Sequence, residues 1–367
     1  MNIQDELALK YRPSQLDDVV GQPHVVETLK QAARLNRFAH AYLFAGRYGS
    51  GKTSVARILA ALMNCQNLKD GVACGTCEVC EKIRNDTCLD VIELDGGQKG
   101  GVDNIKEVLE SAKWPPQELQ KKVYIIDECQ VLTSQANAAL LKDLEEPCGH
   151  VAFVLCTMSP DKVPDPIFSR CQKFRFRQIP SRDAAQHIQD VAARENINIE
   201  NGVADIIARA SRGSLRDGLN LLDKLHTVKY GEPITKDFVL SFEGLPDRAV
   251  IANMIEAMKQ SQVPLVLDMV NDLVMASVEA EDLLYEMSQA FRDMTVLKAQ
   301  KGDTKSTVDL TDAEAARLTE LADDISVRQL LELAHLFSDI GRKVRFNINK
   351  RWIMEATIID CIVALRK

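Results

Sequence analysis

Residues 39–53 read AHAYLFAGRYGSGKT and combine two sequence patterns that together indicate the type of domain. Its first part, 39–45, is a short apolar run of the kind found in buried strands. Its second part, 46–53, matches the pattern G-x-x-x-x-G-K-[ST], and a helical pattern follows from Thr53 to Met63. A strand, a glycine-rich loop and a helix in this order predict a phosphate-binding P-loop, because inward-facing N–H groups and a helix N-terminus both favour anions.

The residues of this P-loop have separate expected tasks. Lys52 is expected to contact the β- and γ-phosphates of a nucleotide, and the hydroxyl of Thr53 to bind Mg²⁺. The alternative is a chance glycine-rich turn. The residues expected to bind nucleotide are Gly46, Gly49, Ser50, Gly51, Lys52, Thr53 and Ser54.

Further strands and helices alternate after the P-loop. Helical patterns separate four more short apolar or alternating runs, which are Leu89–Asp95, Val123–Asp127, Val151–Thr157 and the segment around Phe174 and Phe176. Strands that alternate with helices predict a three-layer α/β domain with a mainly parallel sheet. After Pro180 only helical patterns remain. The chain is therefore predicted to divide into domains 1–180, 181–243 and 244–367, the last two helical.

Two acids, Asp127 and Glu128, stand at the end of the predicted strand Val123–Asp127. Asp127 is expected near the magnesium ion, and Glu128 near the water that attacks the γ-phosphate. The alternative is that they are solvated acids, which often end strands. With a P-loop upstream, Glu128 indicates nucleotide hydrolysis rather than binding alone.

Composition narrows the classes of protein. The chain has 45 Lys+Arg and 53 Asp+Glu, a net charge of −8, which argues against coating nucleic acid by bulk charge. The sequence contains no run of about 18 apolar residues, so it predicts no membrane-spanning helix. The first residues lack the basic and then apolar pattern of a secretory signal. We therefore expect a cytoplasmic protein whose ten cysteines are reduced.

Four of these cysteines cluster directly after the P-loop helix. An all-cysteine set suits tetrahedral zinc and leaves no open position, so a structural site is expected within an insertion at 64–82. A redox pair is the alternative for Cys77 and Cys80. The expected zinc ligands are Cys65, Cys74, Cys77 and Cys80.

Four further motifs accompany the P-loop, the cysteines and the acidic strand end. They are Lys10–Pro13, Asp18–Gln22, Ser169–Cys171 and Gly213–Asp217. Together these features resemble the gamma/tau family of bacterial DNA polymerase III clamp-loader subunits, which are AAA+ ATPases. The resemblance rests on motifs through residue 243 and on helical pattern and length from there to residue 367.

The resemblance implies further site residues. Thr157 would sense the γ-phosphate, Arg170 would be an arginine finger that reaches a neighbouring subunit's ATP, and Arg216 would contact the γ-phosphate of its own subunit. For either arginine alone, a surface salt bridge is the alternative. The adenine pocket would be lined by Tyr11, Arg12, Pro13, Val19 and Val20.

The resemblance also implies the architecture and the function. An AAA+ P-loop domain, a small helical lid and an all-α collar would form a pentameric ring from copies of this chain and delta- and delta-prime-like subunits. With ATP, Mg²⁺ and Zn²⁺, the ring would open a sliding clamp and load it onto primer–template DNA. The alternatives are a helicase loader, a branch-migration motor or a ring subunit that does not hydrolyse ATP.

Two departures from the family pattern stand out. Cys129 and Gln130 follow Glu128, where the family usually has a small residue and then His. In the stretch 96–101, interpreted as a loop, Lys99 is the single charge where the family carries several DNA-facing basic residues. Lys99 is therefore the expected DNA contact, and a loop that is merely flexible is the alternative.

Overall fold

A computed structural model describes residues 7–99, 102–300, 308, 310–344 and 347–366, with side chains except at 98, 99 and 102–106. The chain divides into two compact units. One contains Met1–Asn196 and Ser211–Thr227, and the other contains Ile197–Ala210 and Val228–Lys367.

A parallel sheet of five strands forms the centre of the first unit. The strand order is β2-β3-β4-β1-β5, and every pair is parallel. The strands are β1 (Ala41–Ala45), β2 (Val91–Asp95), β3 (Lys122–Asp127), β4 (Val151–Thr157) and β5 (Gln172–Arg175). Each of the five lies where the apolar runs predict a strand.

The helices are numbered in chain order through both units. The first nine are α1 (Leu7–Lys10), α2 (Pro23–Arg34), α3 (Lys52–Asn64), α4 (Glu78–Arg84), α5 (Gly96–Lys99), α6 (Val102–Ala112), α7 (Ser134–Glu145), α8 (Asp165–Arg170) and α9 (Ser181–Arg194). The next nine are α10 (Val203–Ala210), α11 (Leu215–Val228), α12 (Lys236–Glu243), α13 (Arg248–Lys259), α14 (Val263–Met275), α15 (Ala280–Ala299), α16 (Asp312–Ala322), α17 (Val327–Val344) and α18 (Lys350–Leu365). Short 3₁₀ turns span Leu16–Asp18, Cys129–Val131 and Pro160–Lys162.

Both faces of the sheet are covered. Tyr42 and Phe44 of β1 point into a core shared with α2, α3 and α4. Ala41 and Leu43 of the same strand point into a second core shared with α6, α7 and α8. Because side chains alternate along a strand, a strand buried on both faces must be apolar throughout, as the sequence of β4 illustrates. The predicted three-layer α/β fold is confirmed.

The parallel order places the ends of three strands together. The P-loop follows β1, Asp127 ends β3, and Thr157 ends β4, which lies between those two strands. The register pairs Ala45 with Thr157. Open parallel sheets bind ligands at this carboxyl edge, so the fold itself assembles a candidate site there.

The second unit is helical, as predicted for the end of the chain. The predicted stripe Leu283, Leu284, Met287, Phe291 and Met294 lies on α15 and is buried in the core of this unit. Phe291 stacks on Phe337 of α17 with ring centroids 5.6 Å apart. Within the described residues, no helix combines the length and the apolar character that crossing a bilayer requires.

The interpretation of residues 96–101 as a loop is wrong for its first four residues. Gly96–Lys99 form α5, although glycine is a weak helix former. The helix is anchored at its start, because Asp95 Oδ1 accepts a hydrogen bond from the N–H of Gly97 at 2.7 Å. Residues 100 and 101 and the side chain of Lys99 lie outside the described residues.

Candidate active site

A cleft of about 320 Å³ lies at the carboxyl edge of the sheet, within the first unit. Most of its lining residues come from the N-terminal segment, the P-loop, the acidic end of β3, α9 and α11. Its lining includes the predicted nucleotide and catalytic residues Tyr11, Arg12, Pro13, Val19, Val20, Gly49, Ser50, Gly51, Lys52, Thr53, Ser54, Asp127, Glu128 and Arg216.

The P-loop needs glycine at two positions because of backbone conformation, and at one of them also because of a close contact. Gly49 and Gly51 both have positive φ, +70° and +95°, where a side chain is strained. A Cβ on Gly51 would meet no atom within 4 Å, whereas a Cβ on Gly49 would lie 1.9 Å from Ser214 Oγ. Ser214 precedes α11 and its hydroxyl accepts from the N–H of Asp217 at 3.3 Å. The P-loop therefore packs directly against the start of α11.

Lys52 lies inside the loop that it is predicted to serve. Its side chain is buried, and Nζ donates to the carbonyl oxygens of Gly46 and Arg47, both at 2.9 Å. Burial lowers the pKa of Lys52, partly offset by neighbouring anionic groups that include Asp127. The two carbonyls hold the ammonium group where phosphate oxygens would enter the loop.

Thr53 and Asp127 meet directly although 74 residues separate them. Thr53 Oγ1 donates to Asp127 Oδ2 at 2.6 Å. Mg²⁺ prefers hard oxygen ligands and usually binds through few protein groups plus phosphates and waters. A hydroxyl beside a carboxylate at the mouth of a P-loop fits that requirement.

Glu128 is linked to Thr157 through a residue that sequence reasoning did not place in the site. Gln130 donates from Nε2 to the Glu128 carboxylate, and its Oε1 accepts from Thr157 Oγ1 at 2.7 Å. Thr157 is fully buried and also accepts from the N–H of Ser159 at 3.0 Å. The sequence marked Gln130 only as a departure from a family pattern.

The segment expected to bind adenine is hydrogen-bonded to Glu195, just after α9, and to Ser54 of α3. Tyr11 donates to the Glu195 carboxylate just after α9, and Lys10 Nζ lies 2.8 Å from the same group. Burial, and then the hydrogen bond to Glu195, raise the pKa of the Tyr11 phenol. Arg12 Nε donates to Ser54 Oγ at 3.1 Å, which joins this segment to the P-loop helix.

His187 is a cleft residue to which no sequence motif points, since a single histidine on a helix is common. It lies on α9 and lines the cleft together with Ile179, Leu215 and Leu219. Burial lowers the pKa of the imidazole. The neutral ring therefore adds one donor and one acceptor to a largely apolar part of the cleft.

The two predicted arginines have different positions. The Arg216 guanidinium lies 5.7 Å from the ring centroid of Tyr48, at the cleft. Arg170 is not among the described residues that line the cleft. It ends α8, is 36% exposed, and bonds to Glu145 at 2.6 Å and to the Pro166 carbonyl at 2.9 Å.

The four cysteines predicted to bind zinc converge. Their sulfur atoms all lie within 4.8 Å of one another. Four ligands at a Zn–S distance of about 2.3 Å place neighbouring sulfurs roughly 3.8 Å apart, so little movement is needed. The Cys74 N–H donates to Cys65 Sγ at 3.2 Å, and the Cys77 N–H to Cys74 Sγ at 3.3 Å. Backbone amides, led by that of Thr76, lower the pKa of Cys74 to about 6, which favours a thiolate. The donor set fits zinc.

The cleft and the sheet define the class of the protein, a P-loop ATPase fold of the AAA+ type. Family models agree with this class along the chain. The model described as DNA polymerase III, delta subunit, matches residues 21–180. The one for the DNA polymerase III clamp loader subunit, ATPase lid domain, matches 183–225. The one for domain III of DNA polymerase III subunits gamma and tau matches 234–365.

Curated relatives give the particular family. The chain is 33% identical to DNA polymerase III subunit tau of Bacillus subtilis, over 95% of this chain and 62% of the relative. It is 32% identical to subunit tau of Escherichia coli, over 97% of this chain and 55% of the relative. It is 35% identical to subunit gamma of Buchnera aphidicola, over 77% and 78%. The chain belongs to the DNA polymerase III gamma/tau family, and it spans little more than half the length of the two tau relatives.

Proposed function

We propose that this chain is the ATP-hydrolysing motor subunit of a sliding-clamp loader. The observation that carries the proposal is the meeting of Thr53 and Asp127 at 2.6 Å, in one cleft with Lys52 and Glu128. This arrangement supports the proposal because a cation, two oxygen groups suited to Mg²⁺ and a second carboxylate line one cleft. Membership of the gamma/tau family supports the clamp-loading role.

Each residue then has a task in phosphoryl transfer, where positioning and charge neutralisation dominate. Thr53 and Asp127 would hold Mg²⁺, which when bound neutralises charge on the phosphate oxygens. Lys52 would move its N–H bonds from loop carbonyls to β- and γ-phosphate oxygens. Glu128 would take a proton from the attacking water, and Thr157 and Arg216 would contact the γ-phosphate. The adenine base would occupy the side of the cleft lined by Tyr11, Arg12, Pro13, Val19 and Val20.

Hydrolysis would need a second subunit. Arg170 is partly exposed at the end of α8, so a neighbour can reach its guanidinium by displacing the ion pair with Glu145. An arginine supplied in trans stabilises the charge of the transition state and raises the rate by about 10³–10⁵. We propose a pentameric ring of copies of this chain with delta- and delta-prime-like subunits. ATP binding would favour the ring that opens the clamp, and hydrolysis on primer–template DNA would release it.

The remaining assignments follow from the same proposal. Residues 1–180 would be the AAA+ domain, 181–243 the lid and 244–367 the collar that holds the ring together. The insertion at 64–82 would be folded around Zn²⁺ held by its four cysteines, and Lys99 would contact the DNA backbone.

The test is steady-state ATP hydrolysis by the chain with its partner subunits, clamp and primer–template DNA. We expect stimulation by clamp and DNA, and loss of hydrolysis in Glu128→Gln with ATP binding retained. Arg170→Ala should lower the rate of the assembly at least 10³-fold, whereas Arg182→Ala, an exposed arginine on α9, should not. Hydrolysis at full rate by an isolated monomer contradicts the proposed ring chemistry. Hydrolysis that ignores clamp and DNA would indicate another AAA+ motor, and no hydrolysis at all a structural ring subunit.

A further inference from the structure

The hydrogen bonds of Gln130 define a continuous connection between two proposed functional groups. Thr157 Oγ1 donates to Gln130 Oε1 at 2.7 Å, and Gln130 Nε2 donates to the Glu128 carboxylate. The amide orientation is fixed by chemistry, because an ionised carboxylate only accepts hydrogen bonds and so must face the amide nitrogen. The Gln130 side chain is therefore hydrogen-bonded to Thr157 and to Glu128 at the same time.

Thr157 has a single hydroxyl proton to give. Its oxygen already accepts from the Ser159 N–H at 3.0 Å, and its proton is given to Gln130. Thr157 can therefore donate to a γ-phosphate oxygen only if its hydrogen bond to Gln130 Oε1 is broken. The Thr157 hydroxyl that would contact the γ-phosphate of ATP is therefore the same hydroxyl that donates to Gln130 Oε1.

Glu128 is constrained from two sides. Its backbone has φ +50° and ψ 41°, a left-handed conformation that is uncommon for residues other than glycine. Its carboxylate accepts from Gln130, and a hydrogen bond to a charged acceptor is stronger than one between neutral groups. While this bond is intact, the carboxylate is turned to the amide and less available as a base for water.

We propose that Gln130 is a positioning residue that couples the sensing of the γ-phosphate to the release of the base. At rest it holds Glu128 through Nε2 and the Thr157 proton through Oε1. When Thr157 donates to a γ-phosphate oxygen, Gln130 loses its donor and the amide turns away. The Glu128 carboxylate then accepts from the attacking water. This inference rests on the proposed function, since it gives Gln130 a part in the same ATP hydrolysis.

The first variant, Gln130→Met, removes both hydrogen bonds at nearly constant volume. The Thr157 hydroxyl then loses its amide acceptor and keeps only the weaker Cys129 sulfur nearby, so a γ-phosphate no longer competes with Gln130 for it. We expect the ratio of ATP to ADP affinity, measured by equilibrium titration with Mg²⁺, to rise about 2- to 10-fold, the worth of one hydrogen bond. ADP affinity should stay the same. The unstimulated ATPase rate should rise, and its stimulation by clamp and DNA should fall.

The second variant, Gln130→Glu, separates the two ends. It keeps an acceptor for Thr157, so the ratio of ATP to ADP affinity should remain close to that of the wild type. It also places a second carboxylate beside Glu128, and like charges raise the apparent pKa of such a pair. The rising limb of the pH–rate profile should therefore move to higher pH. Val131→Ala, at an exposed neighbour, serves as the control and should change neither measurement.

A double-mutant cycle shows whether Thr157 and Gln130 act through each other. With Thr157→Val in place, Gln130→Met should no longer change the ratio of ATP to ADP affinity. An unchanged ratio in Gln130→Met alone, or an unmoved pH limb in Gln130→Glu, overturns the coupling role. If Glu128→Gln hydrolyses ATP like the wild type, the proposed function itself fails, whatever the Gln130 variants do.

Discussion

Gly49 of the P-loop and Ser214, just before α11, are packed so closely that only glycine fits at position 49. A Cβ on Gly49 would lie 1.9 Å from Ser214 Oγ and 3.0 Å from its Cα. The contact joins the phosphate-binding loop to the helix that carries Arg216.

Substitution of Gly49 tests this packing. Gly49→Ala and Gly51→Ala both place a side chain at positive φ, which costs about 1–2 kcal/mol. Gly49→Ala must also displace Ser214, an overpacking that costs about 1–3 kcal/mol more. We expect denaturant unfolding without nucleotide to show a larger loss of unfolding free energy for Gly49→Ala than for Gly51→Ala. Equal losses would contradict the contact with Ser214.

Removal of the Thr53 hydroxyl tests the magnesium site. Thr53→Val keeps the shape of the side chain but takes a ligand and the donor to Asp127 Oδ2 away. Hydrogen bonds to charged groups contribute about 1.5–3 kcal/mol, so the gain in ATP affinity caused by Mg²⁺ should fall roughly tenfold or more. The matched control is Thr53→Ser, which restores the hydroxyl. ATP titrations at several Mg²⁺ concentrations measure the effect, and a normal Mg²⁺ response in Thr53→Val would exclude Thr53 as a ligand.

Loss of one cysteine tests the metal cluster. Cys74→Ser should lower the zinc content measured by elemental analysis and lower the temperature of unfolding, because metal binding contributes to folding. The control is Cys148→Ser, at a half-buried cysteine outside the cluster. A wild-type protein without zinc, or a Cys74→Ser variant that keeps a full complement, would show that the four thiols do not bind this metal.

Acid should destabilise the first unit through His187. Burial lowers the pKa of His187 in the folded chain, whereas the unfolded chain has a value of about 6.5. Above pH 6.5 the ring is neutral in both states. As the pH falls through 6.5, the unfolded state binds the proton first, so the unfolding free energy decreases. His187→Gln should lose less unfolding free energy than the wild type between pH 7 and 5.

The control for this measurement is Gln189→Ala, at an exposed residue of the same helix that has no titratable group. It should lose as much unfolding free energy between pH 7 and 5 as the wild type does. Identical pH dependences in the wild type and His187→Gln would show that His187 does not titrate on unfolding.

The sequence predicts those parts of the fold that depend on short-range patterns. The apolar runs at β1, β3 and β4 and the spacing of the P-loop are local, and each identifies its element. The meeting of Thr53 and Asp127 also follows, because parallel strands bring their carboxyl ends to one edge. The predicted convergence of Cys65, Cys74, Cys77 and Cys80 needed only their short spacing and the ligand preference of zinc.

The parts that the sequence does not predict depend on contacts between distant segments. Tyr11 reaches Glu195 and Gly49 meets Ser214 only after α9 and α11 have packed beside the P-loop domain. No local pattern distinguishes His187 from other helical histidines. Helix propensity does not predict the short helix α5, because tertiary contacts fix its start. The Asp95 carboxylate accepts from the N–H of Gly97, and a Cβ on Gly96 would lie 2.8 Å from the Glu128 carbonyl oxygen.

Helix α3 begins at Lys52, in the phosphate-binding loop, and ends at Asn64, the residue before Cys65. Its 13 residues span about 20 Å. Most of them are buried, so the helix is a rigid connection between the P-loop and the cysteine cluster. If the four cysteines hold zinc, its removal would destabilise the C-terminal end of α3 and thereby lower the affinity of the cleft for nucleotide. By reciprocity, bound nucleotide would then raise the equilibrium affinity of the cysteines for zinc by the same factor.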